Sequence, residues 1–406
     1  MKRIGFEEEQ LLSVYRDYGV IPKASRDDNF NKPSDDLGLY QIVEPGDLVI
    51  NKMKAWQGSV AISDFQGIVS PAYFVFKATH SEEPRYLHYL LRSAEYTAGY
   101  LSLSKGIRPN QWDLEPQEHS RMPVLIPPPA EQTAIATFLD RETGKIDVLV
   151  EEQRRLIDLI KEKRQSVISH AVTKGLNPDA PTRASGVEWL GEVPEHWEVR
   201  KFTHVVDVQE GPGILAVDFC DAGIPLMRVA GVQGRWATLD GCNWLDPAKV
   251  EQTWSHFRLE SGDLVISASA SMGTVSEVGA EAIGSVPYTG LIRLRPKHGE
   301  TDRDYIRTAA GSSLFFTQID QLKAGAIIQH FGPTHLARMV LTLPPVDEQA
   351  AIANYVDQQS DKFDSLIFEA EAAIALLTER RSALISAAVT GKIALGVTSE
   401  TQTVAA

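Results

Sequence analysis

The chain has 406 residues, which is too long for one ordinary hydrophobic core and predicts two or three domains. Hydrophobic residues make up 43% of it and charged residues 23%, a composition that excludes wholesale disorder. The net charge of −14 argues against a protein that coats DNA or acidic membranes indiscriminately, but it does not exclude local basic patches.

The N-terminal sequence MKRIGFEEEQ has no apolar signal core, and the chain has no run of 18 apolar residues. These two features predict a cytoplasmic protein with no membrane partner. The two cysteines, Cys220 and Cys242, are too few for a disulfide framework or a four-cysteine zinc site.

Residues 1–130 have the pattern of a mixed α/β domain. A short β-type run at 47–50 follows a glycine, residues 72–77 continue this pattern, and residues 86–92 have a helical pattern. Frequent glycines and prolines predict many short strands with exposed loops.

A long helical segment follows, and the chain contains it twice. The sequence PPPAEQTAIATFLD at 127–140 returns as PPVDEQAAIANYVD at 344–357, so that Glu131 corresponds to Glu348. EPGDLVI at 44–50 likewise returns as ESGDLVI at 260–266. The sequence therefore predicts two copies of one unit, each a variable domain followed by a helix.

Apolar residues recur along both helical segments at alternating spacings of three and four. This stripe predicts a coiled-coil seam along which the two helices pair with each other. A core-facing helix is the alternative, but two long copies favour the coiled coil. Thr143-Gly144 predicts a break in the first helix. The predicted seam and docking residues are Leu139, Ile146, Leu149, Leu156, Ile160, Val167, Val356, Phe363, Leu366, Leu377 and Leu384.

The polar stretch KGLNPDAPTR at 174–183 marks the start of a second variable domain with the same strand and helix pattern. The predicted organisation is a first domain at 1–130, a helical spacer at 131–175, a second domain at 176–346, a second spacer at 347–392 and a flexible tail at 393–406. The fold class predicted is α+β.

Catalytic and metal-binding motifs are absent from the sequence. There is no phosphate-binding GxxxxGK[ST], no NPPY-type adenine methylase motif, no GxSxG and no HExxH. His330 and His335 lie in one loop, but no cysteine or carboxylate stands at metal-ligand spacing. The chain is predicted to be non-catalytic and to bind no metal.

Tandem variable domains, each closed by a PPxxEQxxIAxxxD helix, resemble the specificity subunit of type I restriction-modification enzymes. SGVEWLGEVPEHWEV at 185–199 is similar to the phrase that opens a target-recognition domain in that family. The resemblance implies two target-recognition domains joined by two long antiparallel helices with pseudo-twofold symmetry. It also implies a subunit that reads a bipartite target in double-stranded DNA and docks two methylase subunits. Restriction and translocase subunits would join them, and S-adenosylmethionine, ATP and Mg would bind to the partners, with no cofactor on this chain.

The chain departs from this pattern in its first unit. No counterpart of residues 194–216 precedes Asp47, so the first recognition domain is predicted to be N-terminally incomplete. An assembly scaffold with only one working DNA-reading domain is therefore an alternative function. An enzyme subunit with an unrecognised site is another.

Bases are read by side chains with directed donors and acceptors, Arg or Lys to guanine and Asn or Gln to adenine. Loops rich in such residues follow the GDLVI strands and the later helices. A solvated loop explains any single residue equally well, but their recurrence in both units favours the set. The predicted DNA contacts are Lys52, Lys54, Gln57, Lys105, Arg108, Asn110 and Gln111 in the first unit, and Arg228, Arg235, Ser267, Ser269, Lys323 and Gln329 in the second.

Overall fold

The computed structural model describes residues 4–26, 33–34, 36–106, 112–268, 275–297, 299–323 and 331–395. The chain divides into two compact units, of which unit 1 comprises Met1–Arg155 with Ala370–Ala406 and unit 2 comprises Leu156–Glu369. Both units combine sheets with helices, so the predicted α+β class is confirmed. Each unit contains part of both long helices, whereas the predicted domain boundaries set the helices apart as spacers; those boundaries stay a prediction.

Unit 1 consists of short strands followed by helices. The inward side chains of its central strands pack on the apolar faces of the two helices that follow them. The strands are β1 (Leu12–Tyr15), β2 (Gly19–Pro22), β3 (Gln41–Val43), β4 (Leu48–Asn51), β5 (Val60–Ile62), β6 (Gly67–Val69) and β7 (Tyr73–Phe76), and the helices are α1 (Pro84–Leu91), α2 (Ala94–Leu103), α3 (Pro116–His119) and α4 (Pro129–Lys174). The largest sheet has the antiparallel order β5-β4-β7, while β1 pairs with β2 and β3 pairs with β6.

Unit 2 repeats this arrangement with additional strands. They are β8 (Thr182–Ala184), β9 (Glu192–Pro194), β10 (Glu198–Lys201), β11 (Val206–Glu210), β12 (Phe219–Cys220), β13 (Ile224–Met227), β14 (Asn243–Leu245), β15 (Leu264–Ser267), β16 (Val275–Glu277), β17 (Val286–Pro287), β18 (Leu291–Pro296) and β19 (Val340–Leu343). The helices are α5 (Phe202–Val205), α6 (Pro247–Lys249), α7 (Arg303–Ala310), α8 (Ser313–Lys323), α9 (Pro333–Leu336) and α10 (Val346–Val389).

The sheets of unit 2 include a direct counterpart of the β5-β4-β7 sheet. Its order is β11-β18-β15-β16, so that β15 takes the place of β4 and β18 that of β7. A second sheet has the order β12-β14-β13-β17, with β13 and β17 parallel. β10 pairs with β19 and β8 with β9. All four residues of β15 are buried, because it has a strand on each side and lies in the core.

The repeated GDLVI sequence forms the same turn in both units. Gly46 has φ 91° and Gly262 has φ 82°, in the left-handed region that favours glycine. The carboxylate of Asp47 accepts the Glu44 N–H at 3.0 Å, and the buried Asp263 closes its turn in the same way. The motif therefore fixes the start of β4 and of β15.

The EQ pair of the repeat closes the start of each long helix. The side chains of Gln132 and Gln349 are fully buried. Each donates to the carbonyl of a preceding proline at 2.8 Å. The side chain of Gln132 also accepts a backbone N–H at the start of α1, at 2.9 Å. That of Gln349 accepts one at the start of α7, at 2.8 Å. This glutamine ties helix, strand end and neighbouring helix together.

The two long helices run antiparallel within each unit. In unit 1, Arg381 of α10 donates to Asp147 of α4 at 2.8 Å, and in unit 2, Arg164 of α4 pairs with Asp364 of α10. The predicted break at Thr143-Gly144 is wrong, because α4 is continuous there. The Thr143 hydroxyl donates to the carbonyl of Leu139 at 2.7 Å and takes its place among the buried residues of the helix.

The structure places the predicted seam residues at different depths, some buried and some exposed. Ile146, Ile160 and Val356 are buried, but Leu149, Leu156 and Leu366 are 44%, 43% and 47% exposed. The residues that face the partner helix there are Val150, Ile157 and Ile367. Leu139 is also buried, and Val167, Phe363, Leu377 and Leu384 are partly buried.

Candidate nucleic-acid interface

Two predicted DNA-contact loops of unit 1 lie side by side in the structure. One is residues 52–57, after β4, and the other is residues 105–112, after α2. The N–H of Leu114 donates to the carbonyl of Lys52 at 3.2 Å. The rings of Trp56 and Trp112 meet edge to face, with their centroids 5.2 Å apart. The fold therefore brings two loops distant in sequence to one surface.

The second of these loops has a defined base. The backbones of Lys105 and Asp113 exchange two hydrogen bonds, at 3.0 and 2.9 Å. This pairing fixes the two ends of the loop relative to each other. The predicted contacts Arg108, Asn110 and Gln111 lie in this stretch but outside the described residues.

The cationic side chains of this surface make only weak or solvent-exposed contacts within the protein. Lys52 Nζ lies 4.6 Å from the centroid of the Phe74 ring, and Lys54 and Gln57 are exposed. The side chain of Lys105 is 75% exposed and lies 3.2 Å from Glu118. Exposed pairs of this kind contribute little to stability, so a phosphate or base acceptor can replace the carboxylate.

In unit 2 an aromatic ring positions a predicted contact. The guanidinium of Arg228 lies 3.9 Å from the centroid of the Tyr288 ring, within the range of a cation–π contact. The backbone N–H of Tyr288 donates to the carbonyl of Met227 at 3.0 Å, which ties the two segments together. Arg228 is therefore held in one orientation.

Arg235 has a different setting. Its Nη2 lies 3.2 Å from Asp357, in α10, so that it forms an ion pair with the repeated aspartate of the long helix. The adjoining Trp236 is 53% exposed and offers a stacking face beside it. Trp236 was not among the predicted contacts, although an aromatic residue beside an arginine in a glycine-rich loop was a usable signal.

Of the other predicted contacts of unit 2, one is buried and three have no described side chain. Ser267 is fully buried as the last residue of β15, which corrects its assignment as a DNA contact. A polar residue at a strand end predicts exposure, but neighbouring strands and loops cover this one. Ser269 and Gln329 lie outside the described residues, and Lys323 ends α8 without a described side chain.

A further basic and aromatic group in unit 1 was missed from the sequence. The guanidinium of Arg26 lies 4.5 Å from the centroid of the Tyr18 ring and 5.7 Å from that of Tyr15. Arg92 ties the same β1–β2 turn to α1 by donating to two of its carbonyls, and burial lowers the pKa of Arg92 to about 10. Tyrosines at 15 and 18 around a turn were the available signal.

Within the described ranges no group of three or more His, Cys, Asp and Glu residues could hold a metal ion. No helix in that part of the chain is long and apolar enough to cross a membrane. A cavity beside Val172, Trp189 and Leu190 in unit 2 has a volume of about 20 Å³, room for a single water molecule. An open groove in unit 1, lined by residues that include Gln10, Leu11, Pro22 and Leu37, has a volume of about 510 Å³.

Comparisons with known proteins agree with this organisation. Residues 194–373 match the type I restriction modification DNA specificity domain. The chain is 24% identical to the Type I restriction enzyme MjaVIII specificity subunit of Methanocaldococcus jannaschii, over 87% of this chain and 80% of the relative. It is 21% identical to the EcoKI specificity subunit of Escherichia coli K12, over 97% and 86%.

A solved structure from work on the assembly and conformational transition of the type I R-M system shares the fold. The TM-score is 0.63 at 17% identity, with 97% of this chain and 95% of the other covered. The repeated EQ helices, the paired recognition units and these relatives point to one assignment. Residues 194–373 carry the type I restriction modification DNA specificity domain, and over most of its length the chain is similar to type I restriction enzyme specificity subunits.

Proposed function

We propose that this chain reads DNA sequence for a type I restriction-modification complex, with each unit contacting one part of a bipartite target. The observation that carries the proposal is the joined loop surface of unit 1, where the Trp56–Trp112 contact links two loops that carry the exposed residues Lys54 and Lys105. In unit 2, Arg228 on Tyr288 offers the same combination of a cation and a supporting ring. Lysine and arginine held in this way suit the acceptors on a guanine edge or a phosphate.

The chemistry of the complex is assigned to its partners. This subunit is non-catalytic, and methylation, ATP hydrolysis and cleavage come from modification and restriction subunits that bind S-adenosylmethionine, ATP and Mg. DNA in the cytoplasm is the substrate. The relatives support this division by name, since each is a specificity subunit. Purified chain given S-adenosylmethionine or ATP should show no turnover above background, and turnover free of contaminating enzyme would contradict the proposal.

The long helices offer two equivalent docking surfaces for modification subunits. Leu149 and Leu376 are exposed in unit 1, and Leu159 and Leu366 are exposed in unit 2. The repeat relates Leu149 to Leu366 and Leu159 to Leu376. Each unit therefore carries one leucine from each of these two pairs. Exposed apolar residues related by internal symmetry fit two equal partners.

The DNA-reading part is tested by one substitution in each unit. The chain is expressed with its modification subunit, and the methylated sites of the host genome are determined. Lys54→Ala should relax or weaken recognition of one half-site and Arg228→Ala that of the other, because each lies in a different unit. A base contact costs about 1–3 kcal/mol at one position, whereas a phosphate contact weakens all sites evenly and lowers the salt slope by about 1.

Lys145→Ala is the matched control for both changes, since Lys145 lies on the exposed side of α4 and pairs with Glu142. It should leave the methylated sequences unchanged. If both test variants altered the same half-site, the assignment of one half-site to each unit would be wrong.

The docking part is tested by native mass spectrometry. Leu149→Asp with Leu376→Asp should remove one modification subunit, and Leu159→Asp with Leu366→Asp should remove the other. A wild-type complex that saturates with a single modification subunit would contradict the two docking surfaces.

A further inference from the structure

A segment of unit 2 covering residues 194–210 closes two β edges at once. Its strand β10 pairs with β19, and its strand β11 pairs with β18. In the described part of unit 1 neither β10 nor β11 has a counterpart, and β7, the equivalent of β18, ends its sheet. Two edges that are covered in unit 2 are therefore uncovered in unit 1.

The first uncovered edge is residues 124–126, which correspond to positions 341–343 of β19. The three residues of unit 1 are 45%, 49% and 49% exposed, while their counterparts in unit 2 are 6%, 6% and 8% exposed. They are Val124, Leu125 and Ile126, three consecutive apolar side chains at the surface. Such an edge invites another strand.

The inner side of this edge is built alike in both units. The hydroxyl of Tyr86 donates to the carbonyl of Leu125 at 2.9 Å, and that of Tyr305 donates to the carbonyl of Thr342 at 2.8 Å. The segment of unit 1 is thus held in place as β19 is, although it lacks the second strand.

The outer side of residues 124–126 has backbone N–H and carbonyl groups that could pair with another strand. In unit 2 the N–H of Phe202 donates to the carbonyl of Met339 at 2.9 Å. Because hydrogen-bonded pairs alternate in an antiparallel ladder, positions 341 and 343 then face β10. Their counterparts are Val124 and Ile126, whose N–H and carbonyl groups form no hydrogen bond with any described residue.

The second edge is that of β7, which has no further partner strand among the described residues, although the side chain of Gln41 donates to the carbonyl of Tyr73 at 3.0 Å. Phe76 is 38% exposed, whereas Leu294, at the same place in β18, is fully buried beside β11. The ring centroids of His119 and Phe74 lie 6.1 and 6.3 Å from that of Phe76, so the Phe76 ring is partly covered.

The residues that anchor the segment in unit 2 also have open counterparts. Gly175 follows α4 with φ +75°, and a Cβ there would lie 3.1 Å from the ring of Trp197, which is buried. Gly391 follows α10 with φ +74°, and a Cβ there would have no atom within 4 Å. Among the described residues of unit 1, no side chain takes the place of the tryptophan.

A glutamate at the start of each long helix shows the same difference between the two units. In unit 2, His196 Nε2 lies 2.7 Å from Glu348. The counterpart Glu131 forms no ion pair with the described residues of unit 1. A histidine or other cation next to an incoming tryptophan would find a carboxylate there.

We propose that unit 1 binds an extended segment of a second polypeptide with the chemistry of residues 194–210, a His-Trp pair followed by two short strands. The first strand adds to residues 124–126, the second adds to β7, and the tryptophan packs against Gly391 beside Glu131. Strand addition of this kind takes its affinity from main-chain hydrogen bonds and its specificity from side-chain anchors. The site goes beyond DNA reading and does not depend on it.

The test is titration of the full chain with a fluorescent synthetic peptide of residues 194–210, PEHWEVRKFTHVVDVQE. Saturation at one peptide per chain is expected, with slower hydrogen exchange at the amides of Val124 and Ile126. Methylating the peptide nitrogen of Arg200, which faces the edge, should weaken binding at least about tenfold. Methylating that of Val199, which faces away, should change it less than about twofold.

Two protein variants locate the site. Ile126→Asp and Glu131→Gln should each weaken binding of the peptide, and Lys145→Ala, on the exposed side of α4, is the control that should not. The absence of saturable binding, or equal effects of both methylations, would overturn the proposal. So would a dimer of the chain that protects the same two amides and excludes the peptide, since the occupant would then be a second copy. Methylation patterns in the DNA experiment are scored separately.

Discussion

A single histidine makes the stability of unit 1 sensitive to acid. His88 lies in α1, and its Nδ1 is 3.2 Å from the carbonyl of Ile62, which requires the proton on that nitrogen. Burial, followed by the charges of Arg92 and Arg85, lowers the pKa of His88 to about 3. The folded chain therefore keeps this ring neutral where the unfolded chain protonates it.

Replacing the ring removes that sensitivity. Above the ordinary pKa of about 6.5, His88 is neutral in both the folded and the unfolded chain and stability does not depend on its protonation. As the pH falls from about 6.5 towards 3, only the unfolded chain takes up the proton, so the folded state loses stability. One proton corresponds to about 1.4 kcal/mol per pH unit, so His88→Gln should lose about 1 kcal/mol less than the wild type between pH 6 and pH 5. Urea unfolding at pH 7.5, 6 and 5 measures this, and parallel losses in the two proteins would contradict it.

The repeated glutamine has a structural role that can be measured. In Gln132→Leu the N–H of Glu83 and the carbonyl of Pro127 lose their partner in a buried site. We expect unit 1 to lose about 2–4 kcal/mol of its free energy of unfolding. Thr133→Ala, at the adjacent exposed position, should stay within about 0.5 kcal/mol. A Gln132→Leu protein as stable as this control would show that the motif is retained for another reason.

The long helices show what an apolar stripe can and cannot predict. Their existence followed from the repeat, and the predicted starts at 131 and 347 lie within two residues of Pro129 and Val346. The phase of the seam did not follow, because Leu149 and Leu156 each precede another apolar residue, Val150 and Ile157. Pattern alone cannot choose between such neighbours.

The corrected phase predicts opposite effects at two nearby residues. Ile146 is 6% exposed, so Ile146→Ala should cost about 2–4 kcal/mol. Leu149→Ala should lower the free energy of unfolding by less than about 1 kcal/mol. It should instead weaken binding of the modification subunit. Thermal unfolding with subunit titration separates the two quantities. If Leu149→Ala were the more destabilising change, the original phase would be correct.

The sequence predicted the loops of the proposed DNA-contact surface but not that they share one surface. The sequence indicated residues 52–57 and the stretch after 104 separately, and only the tertiary contact of Trp56 with Trp112 joins them. Burial of Ser267 could not be predicted, since it depends on strands distant in sequence. The role of Tyr288 beneath Arg228 depends on the same kind of contact.

At the scale of the whole molecule, unit 1 is discontinuous in sequence and unit 2 is continuous. The core of unit 1 joins Ile135 and Leu139 to Ile385 and Val389, which lie at the far end of α10. Unit 2 contains every residue of its own core, including the end of α4 and the start of α10. The last helix therefore completes the unit that begins the chain.

A chain that stops at residue 369 should keep one unit and lose the other. Hydrogen exchange should show β15 protected as in the full chain, while β4 and β5 lose protection because Ile385 and Val389 no longer cover the core. Adding a peptide of residues 370–395 should restore part of the protection. Full protection of β4 in the shortened chain without the peptide would contradict this account.

The discontinuity also sets an order of events during synthesis. At about 5–20 residues per second, roughly 10–50 s pass between the appearance of residue 155 and that of residue 389. Unit 2 emerges whole within that interval, whereas the strands of unit 1 wait on the ribosome without the helix that completes their core. The part of the protein that is translated first is thus the part that folds last, and during this wait its apolar strands are what a chaperone would meet.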